Sequence, residues 1–206
     1  MKQLLVDYLP FDITANAVNE SIAKNNGKLI VTGILQRAEA KNQNGRIYPR
    51  DTLVREAKKY SDTFIKQRRA LGELDHPESS VVNLQNASHN ITEMGWSGDN
   101  LIGTVEVLGT PSGNILKELF KAGIKLGISS RGLGSVETVA EEDGEVPAQE
   151  VQPDFELIAF DFVSNPSTQG AFMFPMKESV NKERAPELCD VYCKTESIIS
   201  DIISGV

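Results

Sequence analysis

With two histidines in 206 residues, the search for a general base is short. His76 stands before Pro77, which biases its backbone toward an extended conformation, and Glu73 and Asp75 lie beside it in the chain. That setting suits a general base, and equally a solvated loop histidine with two surface acids. His89 falls within a strand pattern, where a structural histidine is the expectation. A nucleophile is offered by Gly127-Ile128-Ser129-Ser130-Arg131-Gly132-Leu133-Gly134-Ser135. Glycine weakens a strand and marks places where a backbone or a ligand comes close. Backbone N–H groups near glycines such as Gly132 suit an oxyanion hole, and Arg131 would add positive charge there or for substrate. Side chains alternate across a strand, so Ser130 joins Leu126 and Ile128 on an apolar face while Ser129 points to the other side. The same string also reads as a Gly/Ser-rich strand bent for packing. The third feature is Asp161, which shares a strand face with Leu157, Ala159 and Val163. A carboxylate on an apolar face is costly unless paired. Its partner is either a histidine, making it the orienting acid of a triad, or Arg131 in a structural ion pair.

The elements that must position these residues follow from periodicity and turn chemistry. The first 26 or so residues carry few periodic signals and end in the turn Asn25-Asn26-Gly27. Lys28 to Ala40 is rich in β-branched residues and predicts a strand. Asn42 to Pro49 is a polar loop. Asp51 is the expected N-cap of a helix from Thr52 to about Gln67, with Leu53, Ala57, Tyr60 and Phe64 at helical spacing. Two strands, Ala87–Trp96 and Leu101–Leu108, flank Ser97-Gly98-Asp99-Asn100 and predict a hairpin. A short helix from Gly113 stops at Gly123. Strands are expected over Leu126–Ala140 and Phe155–Val163, around an acidic loop from Glu141 to Pro147. Beyond Pro175 the composition turns polar, although Ile198-Ile199 and Ile202-Ile203 recur at helical spacing. An α+β, mainly β domain with a few packed helices accounts for this order.

Composition excludes several function classes. The net charge is −8, which gives no field for holding phosphate, so neither nucleic acid nor an anionic membrane is an expected partner. No apolar run approaches the ~20 residues needed to span a bilayer, and the apolar stretch after Met1 is too short for a signal peptide. The expected setting is the cytosol, or something assembled there. Cys189 and Cys193 stand four apart, but two ligands do not make a zinc site, so no metal and no cofactor is expected.

Four segments together resemble the prohead core proteases of T-even-like bacteriophages, a group related in fold to the herpesvirus assemblins. They are Asn44-Gly45-Arg46-Ile47-Tyr48-Pro49, Gly72-Glu73-Leu74-Asp75-His76-Pro77, the Gly127–Ser135 string, and Asp161-Phe162-Val163-Ser164-Asn165-Pro166-Ser167. The resemblance runs from about Lys28 to Pro175. It implies a herpesvirus-protease-like β-barrel, and divides the chain into an N-terminal segment (1–27), a protease domain (28–175) and a C-terminal tail (176–206). That tail would bind scaffold or be removed by self-cleavage. Carried over by residue, the family's histidine is His76 and its nucleophile Ser129. Assemblins use a second histidine as third member, after the serine in the chain. None follows Ser129 here, and Asp161 is the acid in that part of the sequence. The implied substrates are the phage scaffolding core proteins, the major capsid protein precursor and the protease itself. The implied place is the prohead in the host cytoplasm, with the chain as a homo-oligomer. Cleavage after glutamate is also implied, with Arg46, Arg50 and Arg131 as loop-placed cations that would read it. Two other classes compete: a non-catalytic scaffold or capsid-assembly protein with the same fold, and a metal-dependent hydrolase built on His76, His89 and nearby acids.

Overall fold

Strict alternation in Leu-Ile-Val-Thr-Gly-Ile-Leu buries Leu29, Val31 and Leu35 on one side of a strand. The computed structural model, which describes residues 15–77, 79–139 and 147–176, places that strand within a five-stranded antiparallel sheet. In chain order the elements begin with α1 (Ala15–Lys24), β1 (Leu29–Arg37), β2 (Arg46–Ile47), α2 (Arg50–Tyr60) and β3 (Leu71–Glu73). They continue with β4 (Ala87–Ser97), β5 (Asn100–Val107), α3 (Pro111–Lys121), β6 (Gly127–Leu133) and β7 (Val136–Val139). The last three are β8 (Ala148–Val151), β9 (Glu156–Val163) and β10 (Met173–Pro175). The main sheet runs β10-β1-β5-β4-β3, while β6 pairs with β9 and β8 lies between β2 and β7.

The mainly β reading with packed helices holds, but the ladders do not close into a barrel. The β6–β9 pair meets both outer edges of the main sheet through single bridges. Leu74, just past β3, bridges Phe162 on β9, and Gly127 on β6 bridges Phe172, just before β10. Each edge strand is three residues long. The chain leaves β3 through Asp75, whose φ of 68° turns it away, and β10 ends at Pro175. Neither edge is long enough for a continuous ladder.

Other expectations shift for local reasons. Helix α1 lies in the segment set apart before the domain, yet it packs on it: Val18 is fully buried and the Ser21 hydroxyl donates to the Ile30 carbonyl at 3.0 Å. Asp51 does not cap α2. Pro49 holds the cap position without a side-chain bond, and Asp51 sits in the first turn, where its charge suits the helix dipole. α2 ends at Tyr60, and Ser61–Ile65 widens into a π turn. Helix α3 starts earlier than its apolar pattern, because Thr110 accepts from the Gly113 N–H at 3.1 Å and Pro111 opens the first turn. The expected strand Leu126–Ala140 breaks at Gly134-Ser135, so that β6 and β7 join different sheets. The Gly98-Asp99 hairpin loop is as read, with Gly98 at φ 55°. The acidic loop at 141–146 and everything after 176, including both cysteines and the paired isoleucines, lie outside the described residues.

Strand β9 is held from both sides. The Glu56 carboxylate, buried in α2, accepts from the Leu157 N–H at 3.1 Å. His89, fully buried on β4, has Nε2 2.9 Å from the Phe160 carbonyl and Nδ1 2.8 Å from the Ser88 hydroxyl. These partners define a neutral ring that donates from Nε2 and accepts at Nδ1. Gly72 on β3 makes room for it, since a Cβ there would strike both the Phe160 carbonyl and the His89 ring.

Burial lowers the His89 pKa to about 4. The unfolded chain therefore takes up this proton first as the pH falls. Stability should drop between about pH 6.5 and pH 4, by on the order of 3 kcal/mol from this residue. In urea titrations across that range, His89→Gln should show a flatter pH dependence than wild type. An unchanged slope would assign the acid sensitivity elsewhere.

Candidate active site

The register of β6 and β9 sets Ser129 directly opposite Asp161. Asp161 has no exposed surface, and its two oxygens accept four N–H donors. Oδ2 takes His76 Nδ1 at 2.9 Å and Arg131 Nε at 2.8 Å. Oδ1 takes Arg131 Nη2 and the Glu73 backbone N–H, each at 3.0 Å. The two partners weighed for this carboxylate are thus both present. Burial pushes its pKa up, but the hydrogen bonds from His76, Glu73 N–H and Arg131, with the charge of Arg131, outweigh that and leave it below the usual carboxylate range. Burial and then the Asp161 charge push the Tyr60 phenol upward.

His76 reaches Asp161 because the backbone beside it is pinned to the same strand. Leu74 bridges Phe162, the Asp75 N–H donates to the Phe162 carbonyl at 2.8 Å, and the turn at Asp75 places the next residue over Asp161. The Asp75 carboxylate accepts from the His76 backbone N–H at 3.0 Å, closing the turn. With Nδ1–H given to Asp161, Nε2 is the ring's acceptor. The imidazole is 38% exposed.

Arg131 is committed rather than free. Besides Asp161 it donates from Nη2 to Glu73 Oε1 at 3.0 Å and from Nη1 to the Ser79 carbonyl at 2.6 Å. Glu73 is itself buried, with Oε1 also accepting from the Asn83 N–H and Oε2 lacking a hydrogen-bond partner among the described residues. The expectation of Arg131 as a substrate-facing cation therefore gives way to a buried clamp between two carboxylates. Gly132 lines the cleft, and its own need for glycine is steric, since a Cβ would strike the Phe155 ring. Arg50 is turned elsewhere, to Gly98 and Asp99 and over the Trp96 ring.

His76 and Ser129 line one open cleft of about 230 Å³ together with Asn44, Arg46, Tyr48 and Ser167. The Ser129 hydroxyl is 3.1 Å from the Ser167 hydroxyl, and no hydrogen bond joins it to His76 among the described residues. Ser130 differs from its expected place in the apolar core. It is half-buried and donates to the Gln36 side-chain oxygen at 3.0 Å, whereas Ser129 is the more enclosed of the two. Ser167 closes the fourth of the resembling segments but carried no role there, and Gln36 was not singled out. Ser167 follows Pro166 in a turn with no periodicity to betray it, and Gln36 looks like the polar end of a strand. His89, sealed in the core, does not share a site with His76, and no cluster of three metal-ligating side chains occurs among the described residues.

A family model described as "Prohead core protein serine protease" matches residues 9–182. The prohead core protein protease of Enterobacteria phage T4 is 33% identical over 169 residues, covering 80% of this chain and 77% of that one. The solved structure of the bacteriophage T4 capsid assembly protease superposes with a TM-score of 0.60 at 32% identity, over 66% of this chain and 81% of the other. Sequence and fold agree, and this chain belongs to the prohead core protein serine protease family.

Proposed function

We propose that the chain is a serine endopeptidase in which Ser129 is the nucleophile, His76 the general base and Asp161 the orienting acid. The observation that carries this reading is the His76 Nδ1–Asp161 bond of 2.9 Å in the cleft that also holds Ser129. Asp161 fixes the tautomer that leaves Nε2 able to take the Ser129 proton as its oxygen attacks a peptide carbonyl. The carbonyl π electrons move onto oxygen and return as the C–N bond breaks, the proton passing from His76 to the leaving amine. Water then hydrolyses the acyl-enzyme by the same relay. Behind the imidazole, Asp161 and Glu73 against Arg131 leave one net negative charge, which the imidazolium formed during attack neutralises.

The relatives are a prohead core protein protease and a capsid assembly protease. By that kinship the substrates of this chain are scaffolding core proteins, the capsid protein precursor and the chain itself, cut inside the prohead within the host cytoplasm. Self-cleavage would remove the segment after residue 176. Preference for glutamate falls to Arg46, the one of the three cations considered that lines the cleft without being held in a buried ion cluster.

Co-expression with scaffold protein separates the roles. Ser129→Ala should lose activity by on the order of 10⁵-fold or more, while Ser130→Ala keeps most of it and lowers the melting temperature. The reverse pattern would move the nucleophile by one residue. Asp161→Asn should slow cleavage by roughly 10⁴-fold, with a thermal melt run beside it because Arg131 depends on the same carboxylate. A folded, fast Asp161→Asn protein would remove Asp161 from the relay. Arg46→Ala should lower kcat/KM for glutamyl peptides by about 10- to 100-fold and spare glutaminyl ones. Equal losses on both would discard Arg46 as the charge reader.

A further inference from the structure

An attacking serine needs a donor for the oxyanion it creates, and Arg131, the side chain expected to serve, is spent on Asp161, Glu73 and Ser79. A different donor stands beside the nucleophile. We infer that Ser167 is a further catalytic residue, whose hydroxyl donates to the oxyanion formed when Ser129 attacks; this rests on Ser129 being the nucleophile.

The two hydroxyls are 3.1 Å apart at the wall of one cleft. In the tetrahedral adduct the serine oxygen and the oxyanion are bonded to the same carbon. A hydroxyl in contact with the first is therefore within reach of the second after a small rotation about its Cα–Cβ bond. The bond made is a hydrogen bond, with no proton transferred. The Ser129 proton goes to His76 and on to the leaving amine, while the carbonyl electron pair goes to oxygen and re-forms the double bond as the C–N bond breaks.

The surroundings of Ser167 are those of a held donor rather than a loop hydroxyl. Its carbonyl accepts from the Gln43 N–H at 2.9 Å. Before it, Pro166 packs so closely on Gly127 that a Cβ there would strike the ring. After it, buried Thr168 donates to the Gln36 side-chain oxygen at 3.2 Å, the oxygen that also accepts from Ser130 at 3.0 Å. Adjacent residues on the strand are thus matched to adjacent residues on the turn, Ser129 with Ser167 and Ser130 through Gln36 with Thr168. Gln36 is the positioning residue that sets the spacing between nucleophile and donor.

The test uses the full chain, an internally quenched peptide with one glutamyl bond, and a fluorophosphonate whose attachment point is read by mass spectrometry. Ser167→Ala should lower kcat by about 10- to 100-fold with KM within about twofold, and Ser167→Thr, which keeps the hydroxyl, should recover most of the loss. Should Ser167→Ala melt early, Ser167→Cys carries the same test, being nearly the same size with a weak donor. Fluorophosphonate on Ser129 together with normal kcat in Ser167→Ala or Ser167→Cys overturns this inference alone. Fluorophosphonate on Ser167 with Ser129 untouched overturns the nucleophile assignment as well. A faster Ser167→Ala enzyme would mean that Ser167 restrains Ser129, and it too overturns the donor role.

Discussion

The structure turns on one buried carboxylate. Asp161 has no contact with solvent, and a charge in that position survives only if every lone pair finds a donor. It takes four, from three segments: His76 from the loop after β3, Arg131 from β6, and the backbone of Glu73 from β3 itself. Because β6 and β9 lie far along the chain from β3 and the loop that follows it, satisfying one side chain also fixes how the main sheet meets the β6–β9 pair. The residue that orients the histidine is thus also the bolt between two sheets. Removing its charge leaves Arg131 beside Glu73 alone, which is why a melt must accompany any activity measurement on it.

The bolt is useful only if β9 stays in place, and β9 is held from both sides by polar groups that no solvent reaches. Glu56 from α2 accepts from the Leu157 N–H, and His89 from β4 donates to the Phe160 carbonyl, both just ahead of Asp161 along the strand. Neither contact touches the cleft. Hydrophobic burial alone would tolerate small slides of the strand, whereas hydrogen bonds to buried groups penalise them by about 1–3 kcal/mol each. Catalytic spacing of a few tenths of an ångström is set by such bonds.

How much of this was legible in the sequence depended on whether a feature is periodic. Asp161 was found because a strand face makes an acid among Leu157, Ala159 and Val163 conspicuous. The choice between His76 and Arg131 was a false one, since a carboxylate has room for both. The hairpin at Gly98 and the glycine stop at Gly123 came from turn chemistry and stand where they were read. Helix α1 was missed because its anchors are Val18 and the hydroxyl of Ser21, too slight an apolar stripe to register. The barrel failed to close because the two edge strands are three residues long, a length no propensity argument predicts. The roles of Ser167 and Gln36 were invisible since their meaning lies in pairing across 38 and 94 residues of chain.

The resting position of Ser129 bears on how the site is read as a protease. Its hydroxyl rests on Ser167 instead of His76, which at first sight argues against a working nucleophile. The magnitudes argue otherwise. Exchanging one neutral hydrogen bond for another costs at most about 0.5–1.5 kcal/mol, against a barrier of about 16 kcal/mol for turnover near 10 s⁻¹. A rotation of that cost reduces the rate by roughly tenfold at most, and catalytic hydrogen bonds commonly tighten only when substrate arrives. The expensive part of the site is already in place: a histidine tautomer fixed by a buried acid whose own charge is held by an arginine. Against that, the turn of one serine side chain is a small term.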